Sequence, residues 1–93
     1  MEFDWINPSF DLKASPTPKE IEESFEDPFS IRLMPDSARF SKQARYINLG
    51  RNLAGKGLFS VYRSDGKTYR VIASRPMTDE ENYFYERRLS EWM

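Results

Sequence analysis

Two β-rich runs, residues 58–63 and 68–75, flank Ser64-Asp65-Gly66, and this arrangement constrains the fold more than any other feature of the chain. Alternating side chains on both sides of a short glycine-containing connection are typical of a β-hairpin. A three-residue loop with Gly66 in the left-handed conformation pairs Arg63 with Lys67. That register predicts a core face made of Phe59, Val61, Tyr69 and Val71.

Two capping boxes predict where the helices begin. Thr17 precedes Pro18 and lies three residues before Glu20, and Thr78 lies three residues before Glu81. Each pair allows a threonine and a glutamate to satisfy the first backbone amides of a helix. We expect the first helix to end at Asp27-Pro28 and the second to span residues 79–90. The predicted inward stripes are Ile21 and Phe25 in the first helix, and Phe84, Tyr85, Leu89 and Trp92 in the second.

Three further strands are predicted over residues 3–6, 29–33 and 45–49, with Gly50 ending the last of them. The order β-α-β-β-β-β-α predicts an α+β protein. Its small antiparallel sheet should carry one helix near the N-terminus and one at the C-terminus. Ninety-three residues are enough for a single domain, which we assign to residues 1–93.

The absence of two residue types narrows the chemistry. Without cysteine there is no disulfide, thiolate nucleophile or thiolate-ligated metal, and a reducing cytoplasm is the expected location. Without histidine, a two-histidine ribonuclease mechanism is impossible. The acidic clusters lack octahedral ligand spacing, so we expect no metal and no cofactor. No apolar run approaches the about 20 residues of a membrane span, so no membrane association is expected.

Charge is strongly segregated along the chain. Residues 1–36 carry three Lys/Arg against nine Asp/Glu, residues 37–76 carry nine against one, and residues 77–93 carry two against five. Such a basic middle segment favours a polyanionic partner. Basic strands that simply pair with acidic helices account for the same pattern, and the sequence leaves both interpretations open.

Several motifs occur in an order that resembles the BrnT family of bacterial type II toxin–antitoxin ribonucleases. They are Phe3-x-Trp5, Phe25-x-Asp27-Pro28, Arg45-Tyr46-Ile47-Asn48-Leu49-Gly50, Leu58-Phe59-Ser60-Val61-Tyr62, Arg70-Val71-Ile72-Ala73-Ser74-Arg75, and Thr78, Glu81 and Tyr85. The resemblance covers most of the chain and is strongest over residues 45–88. It implies a RelE-like fold, RNA cleavage, and neutralisation by a BrnA-type antitoxin in a homo- or hetero-oligomer.

The chain departs from the family pattern at three places. Residues 7–16 contain nothing like the family's K-H-G segment, the family's Ser-Ala order is reversed at Ala73-Ser74, and Ala44 stands where a Glu is usual. Three functions therefore remain open. The first is a toxin endoribonuclease, and the alternative is a catalytically inactive module that binds RNA or an antitoxin-like protein. A DNA-binding regulator is a third.

Metal-independent RNA cleavage requires phosphate clamps, a base and an acid. Arginine suits the first role because its planar fork matches phosphate oxygens. We therefore predict that Arg45, Arg70 and Arg75 converge beside the amino end of the last helix, with Glu81 and Tyr85 as candidate proton-transfer groups. The simpler alternatives are that Glu81 only caps the helix, that Tyr85 packs on the sheet, and that Arg75 pairs with Asp79 or Glu80. The predicted RNA-binding residues are Arg39, Lys42, Arg51, Lys56 and Tyr62.

Overall fold

The computed structural model describes residues 2–5, 16–33 and 45–91. They form an α+β fold, as predicted, with a five-stranded sheet in the order β1-β5-β4-β3-β2. The elements are β1 (Glu2–Phe3), α1 (Pro18–Glu26), β2 (Ile31–Leu33), β3 (Tyr46–Arg51), β4 (Gly57–Ser64), β5 (Thr68–Pro76) and α2 (Asp79–Glu91). The pairs β2–β3, β3–β4 and β4–β5 are antiparallel, whereas β1 pairs with β5 in parallel. The sheet is therefore mixed, not purely antiparallel.

Each helix covers a different face of the sheet. On the α1 face, Ile21 and Phe25 pack with Leu58, Tyr62 and Val71. The second core cluster, on the α2 face, contains Ile31, Leu49, Met77 and Tyr85, with Phe59 and Leu89 packed against it. Neighbouring residues of a strand point to opposite faces, so Leu58 and Phe59 belong to different clusters.

Both capping boxes form as the sequence predicts. The Thr17 hydroxyl accepts from the Glu20 amide, and the Glu20 carboxylate accepts from the Thr17 amide. At α2, the Thr78 hydroxyl accepts from the Glu81 amide at 3.2 Å, and Glu81 accepts from the Thr78 amide at 2.8 Å. In the described part of the chain, neither helix is long and apolar enough to cross a membrane.

The predicted hairpin register was wrong. Arg63 pairs with Arg70 and Ser64 with Tyr69, and a bulge between Val61 and Tyr62 shifts the register further along. As a result Tyr69 and Val71 lie on the α1 face, whereas Phe59 and Val61 lie on the α2 face. At the bulge Ile72 has no partner on β4, so the side chains of residues 73–76 alternate in the opposite sense to those of residues 68–71.

Gly50 does not end β3, which continues to Arg51. It lies where α1 crosses the strand, and a Cβ atom there would sit 2.0 Å from the Ser24 carbonyl oxygen. The neighbouring Asn48 amide donates to the same carbonyl at 3.4 Å. Gly50 is therefore a helix-packing residue, and only glycine allows α1 to approach this closely.

Of the predicted α2 stripe, Tyr85 is buried and Leu89 partly buried, but Phe84 is 42 % exposed. Trp92 lies outside the described residues.

Candidate functional site

One end of the sheet carries adjacent tyrosine and arginine residues on three neighbouring strands. These dipeptides are Arg45-Tyr46, Tyr62-Arg63 and Tyr69-Arg70. Tyr46 pairs with Tyr62, and Arg63 pairs with Arg70, so the three dipeptides lie side by side. We call this region, together with the turn 65–67, the hairpin end. The opposite end, where β5 meets α2, is called the helix end.

Because strand side chains alternate, the hairpin end has two chemically different faces. The tyrosines belong to the core cluster on the α1 face. Arg63 and Arg70 therefore lie on the α2 face, and all three arginines are exposed. At the hairpin end, the sheet thus has an aromatic surface on one face and a basic surface on the other.

The basic surface surrounds a cavity of about 260 Å³ lined by Asp4, Arg63, Ser64, Asp65, Thr68 and Arg70. Asp65 belongs to the turn itself, since its carboxylate accepts from the amides of Thr68 at 2.8 Å and Lys67 at 2.9 Å. These hydrogen bonds hold the pKa of Asp65 below its ordinary value, Thr68 contributing most. Lys67 is exposed in the same turn and adds a fourth cation to the three arginines.

The aromatic surface is a contiguous set of rings. Tyr46 stacks on Tyr62 with centroids 5.5 Å apart, and Tyr69 lies 5.5 Å from Tyr62 on its other side. Phe25 supports Tyr62 edge-on at 5.0 Å. Burial raises the pKa of the Tyr62 phenol above its ordinary value. The Arg32 guanidinium lies 5.7 Å from the Tyr69 ring, which brings positive charge to this face as well.

The predicted convergence of Arg45, Arg70 and Arg75 beside α2 was wrong. Arg70 and Arg75 lie five positions apart on β5, a separation of about 16 Å in an extended strand. Phe59 pairs with Arg75 at the helix end, whereas Arg63 pairs with Arg70 at the hairpin end. Arg45 precedes Tyr46, the partner of Tyr62, and so belongs with Arg70. The antiparallel register therefore brings two of the three arginines together and separates the third.

Arg75 and Glu81 form a closed pair at the helix end. Two guanidinium nitrogens donate to the two Glu81 oxygens at 2.8 and 3.0 Å, and the guanidinium lies 4.1 Å from the Phe59 ring centroid. The Arg75 hydrogen bonds, with smaller effects from Thr78, lower the pKa of Glu81. A carboxylate with a lowered pKa is a weak proton acceptor, so these contacts favour the capping interpretation of Glu81 over the catalytic one.

Tyr85 anchors α2 to the rest of the protein. Its side chain is 2 % exposed and its hydroxyl donates to Asp27 Oδ2 at 2.5 Å. The Arg51 amide donates to the same oxygen at 2.9 Å, and the Arg51 guanidinium lies 4.7 Å from the Tyr85 ring. Burial, followed by the Asp27 carboxylate, raises the pKa of Tyr85 far above its ordinary value. These contacts favour an anchoring role over proton transfer.

We expect Tyr85→Phe to lower the free energy of unfolding by about 1–2 kcal/mol, because it removes the donor to a partly buried carboxylate. Urea denaturation measures the difference. Tyr83→Phe is the matched control, since Tyr83 is 63 % exposed on the same helix and should change stability by less than about 0.5 kcal/mol. Equal effects of the two substitutions would contradict the anchoring role.

The remaining predicted RNA-binding residues do not form one surface with the arginines. Arg51 and Lys56 lie at the helix end, and the Arg51 side chain donates to Glu86 at 3.1 Å. The adjoining cavity, of about 420 Å³, has Glu23, Glu26 and Asp27 in its wall. Three carboxylates against the single cation Arg51 in its lining disfavour a phosphate there. Tyr62 belongs to the hairpin end but is buried by its neighbours, with 4 % of its surface exposed. Arg39 and Lys42 lie outside the described residues.

Sequence reasoning missed Arg63 and Lys67 as members of the basic surface. The sequence does contain a signal for Arg63: it is adjacent to Tyr62, just as Arg45 is adjacent to Tyr46 and Arg70 to Tyr69.

The protein is thus an α+β protein whose sheet carries basic and aromatic residues at its hairpin end. No protein-family model matches the chain, and no curated protein matches it significantly. The resemblance to BrnT toxins therefore rests on the sequence motifs alone.

Proposed function

We propose that the protein binds single-stranded RNA at its hairpin end, as the toxin component of a type II toxin–antitoxin system resembling BrnT. The observation that carries the RNA-binding proposal is the grouping of exposed Arg45, Arg63 and Arg70 at that end, beside Lys67. The toxin assignment depends on the ordered motifs of the sequence.

Guanidinium groups on adjacent strands suit a phosphodiester backbone. Their donors pair with phosphate oxygens, and the counterions released on binding give an affinity that falls as salt rises. The acidic helices reinforce this preference, since α1 and α2 carry carboxylates that repel a polyanion from the rest of the protein. The positive end is thus the favoured approach for RNA.

RNA binding without cleavage is a second candidate function, and a specific observation favours it. Glu81 and Tyr85, the residues predicted to transfer protons, are engaged by Arg75 and Asp27 at the helix end. They lie at the opposite end of β5 from the basic surface. Bound RNA would then be held at the arginines, away from Glu81 and Tyr85, the predicted base and acid.

In either case we propose a protein partner of the BrnA type. A partner that covers Arg63 and Arg70 with acidic side chains would compete with RNA for the same cations. Neutralisation would then be a direct consequence of competition at the hairpin end.

The test is to titrate a fluorescently labelled short single-stranded RNA with the purified protein over a range of salt concentrations. We expect saturable binding whose logarithmic salt slope is about −2, as for three phosphate contacts on a single strand. Binding that is absent at low salt, or independent of salt, contradicts the proposal. The same samples on a denaturing gel separate the two candidates: cleaved RNA supports the toxin ribonuclease, and intact RNA supports the binding module.

A further inference from the structure

The aromatic face of the hairpin end encloses a cavity of about 220 Å³ lined by Tyr46, Tyr62, Ser64, Gly66 and Tyr69. It shares Ser64 with the cavity between Arg63 and Arg70 on the opposite face. The two cavities are therefore on either side of the same hairpin turn, one lined by tyrosines and the other by two arginines and two aspartates.

The aromatic cavity has the properties of a stacking site. Its tyrosine rings are held by one another and by Phe25, with centroid separations of 5.0 to 5.5 Å. Tyr46 and Tyr69 remain partly exposed at its surface. Rings fixed in this way lose little conformational entropy on binding a flat ligand. The nearby Arg32 guanidinium favours a ligand that carries negative charge.

The hairpin turn also leaves room for a chain to pass from one cavity to the other. A Cβ atom built on Gly66 would meet nothing within 4 Å, so the space above the turn is open. The exposed Lys67 side chain follows Gly66 directly and can meet a phosphate at this crossing.

From this geometry we infer that the tyrosine cavity holds one unpaired base of the RNA whose phosphates contact Arg63 and Arg70. This inference rests on the proposed function and adds a base-binding subsite to it. The cavity is smaller than the roughly 300–1,000 Å³ of sites for drug-sized molecules, which favours a single base over two stacked bases. Stacking accepts every base, so the site recognises single-strandedness rather than sequence.

The inference is tested with two probes of equal length and charge: a short single-stranded RNA, and an oligonucleotide in which every position is abasic. We expect the wild-type protein to bind the abasic probe about tenfold more weakly than the RNA, as for the loss of one stacked base. Tyr46→Leu keeps an apolar side chain but removes the ring. It should weaken RNA binding about tenfold and leave binding of the abasic probe unchanged. Tyr83→Leu is the control, because the Tyr83 side chain is exposed on α2, and it should change the binding of neither probe.

The outcomes separate this inference from the proposed function. Equally tight, salt-dependent binding of both probes means that the cavity is only a packing gap, and it overturns the base subsite while RNA binding stands. Failure of both probes to bind overturns both proposals. If Tyr46→Leu does not fold, the ring-proton NMR signals of Tyr46 and Tyr69 in the wild-type protein decide. They should shift with RNA and not with the abasic probe, and equal shifts or none overturn the inference.

Discussion

Replacing Arg63 and Arg70 by glutamate should weaken the binding of single-stranded RNA about 100-fold. The two residues pair directly across β4 and β5, so the double substitution removes two neighbouring cations and places two carboxylates beside Asp65. Two charge-assisted hydrogen bonds of about 1.5 kcal/mol each account for a change of this size. The logarithmic salt slope should become shallower by about 1.4, or about 0.7 for each phosphate that no longer meets a cation. Fluorescence anisotropy at several salt concentrations measures both quantities.

Arg87→Glu/Arg88→Glu on α2 is the matched control for this experiment. It changes the net charge by the same amount at two exposed arginines outside the hairpin end. We expect it to weaken binding less than about threefold through long-range electrostatics alone. If the two double variants reduce affinity equally, RNA responds to overall charge and the hairpin end is not its binding site.

Gly50→Ala should be the most destabilising conservative substitution in the sheet. The added Cβ would overlap the Ser24 carbonyl oxygen at 2.0 Å and its carbon at 3.0 Å, both backbone atoms of α1. Neither can rotate away, so α1 must move off the sheet and loosen the packing of Ile21 and Phe25 on Leu58. Overpacking of this kind costs about 3 kcal/mol or more. Urea denaturation followed by circular dichroism measures the decrease in stability.

Gly57→Ala tests whether the effect of Gly50→Ala depends on backbone contact. Gly57 pairs with Arg51 on the neighbouring strand, and its Cβ would approach Met77 Sδ and Asn82 Oδ1, each at 2.8 Å. These are the ends of flexible side chains, so we expect a decrease of about 1 kcal/mol. A Gly50→Ala protein within about 1 kcal/mol of wild type would show that α1 is not held tightly against β3.

Local signals in the sequence were sufficient to predict the helices. Each helix begins with a capping box whose three-residue spacing is visible in the sequence, and both boxes form. The end of α1 at Asp27-Pro28 was also predictable, because proline disfavours a helical conformation at the residue before it. The parallel pairing of β1 with β5 was not predictable, since it joins Phe3 to Tyr69 and has no local signal.

The hairpin register differed from the prediction at the turn itself, where Ser64 pairs with Tyr69 and Arg63 with Arg70 instead of Lys67. Turn chemistry suggested a loop over Ser64-Asp65-Gly66, and Gly66 does adopt the left-handed conformation, with φ +97°. A further shift of one residue follows at the bulge next to Val61, and no local pattern in the sequence indicated it. Because the predicted register was wrong, the pairing of Arg63 with Arg70 was not predicted.

The candidate site illustrates the same limit. Arg70 and Arg75 were correctly expected on one strand, but only the register shows which arginines share an end. One of the two interpretations of the segregated charge, the pairing of basic strands with acidic helices, is observed at the helix end. At the helix end, Arg75 and Arg51 pair with helix carboxylates. At the hairpin end the basic residues form the surface proposed to bind RNA.

The most direct measurement is the backbone amide NMR spectrum of the isotope-labelled protein during titration with a short single-stranded RNA. We predict that the largest shifts occur at the hairpin end, at residues 45–46, 62–63 and 66–70, while those at the helix end stay small. Shifts concentrated at Arg51, Lys56, Arg75 and Glu81, or no shifts at any RNA concentration, would contradict binding of RNA at the hairpin end.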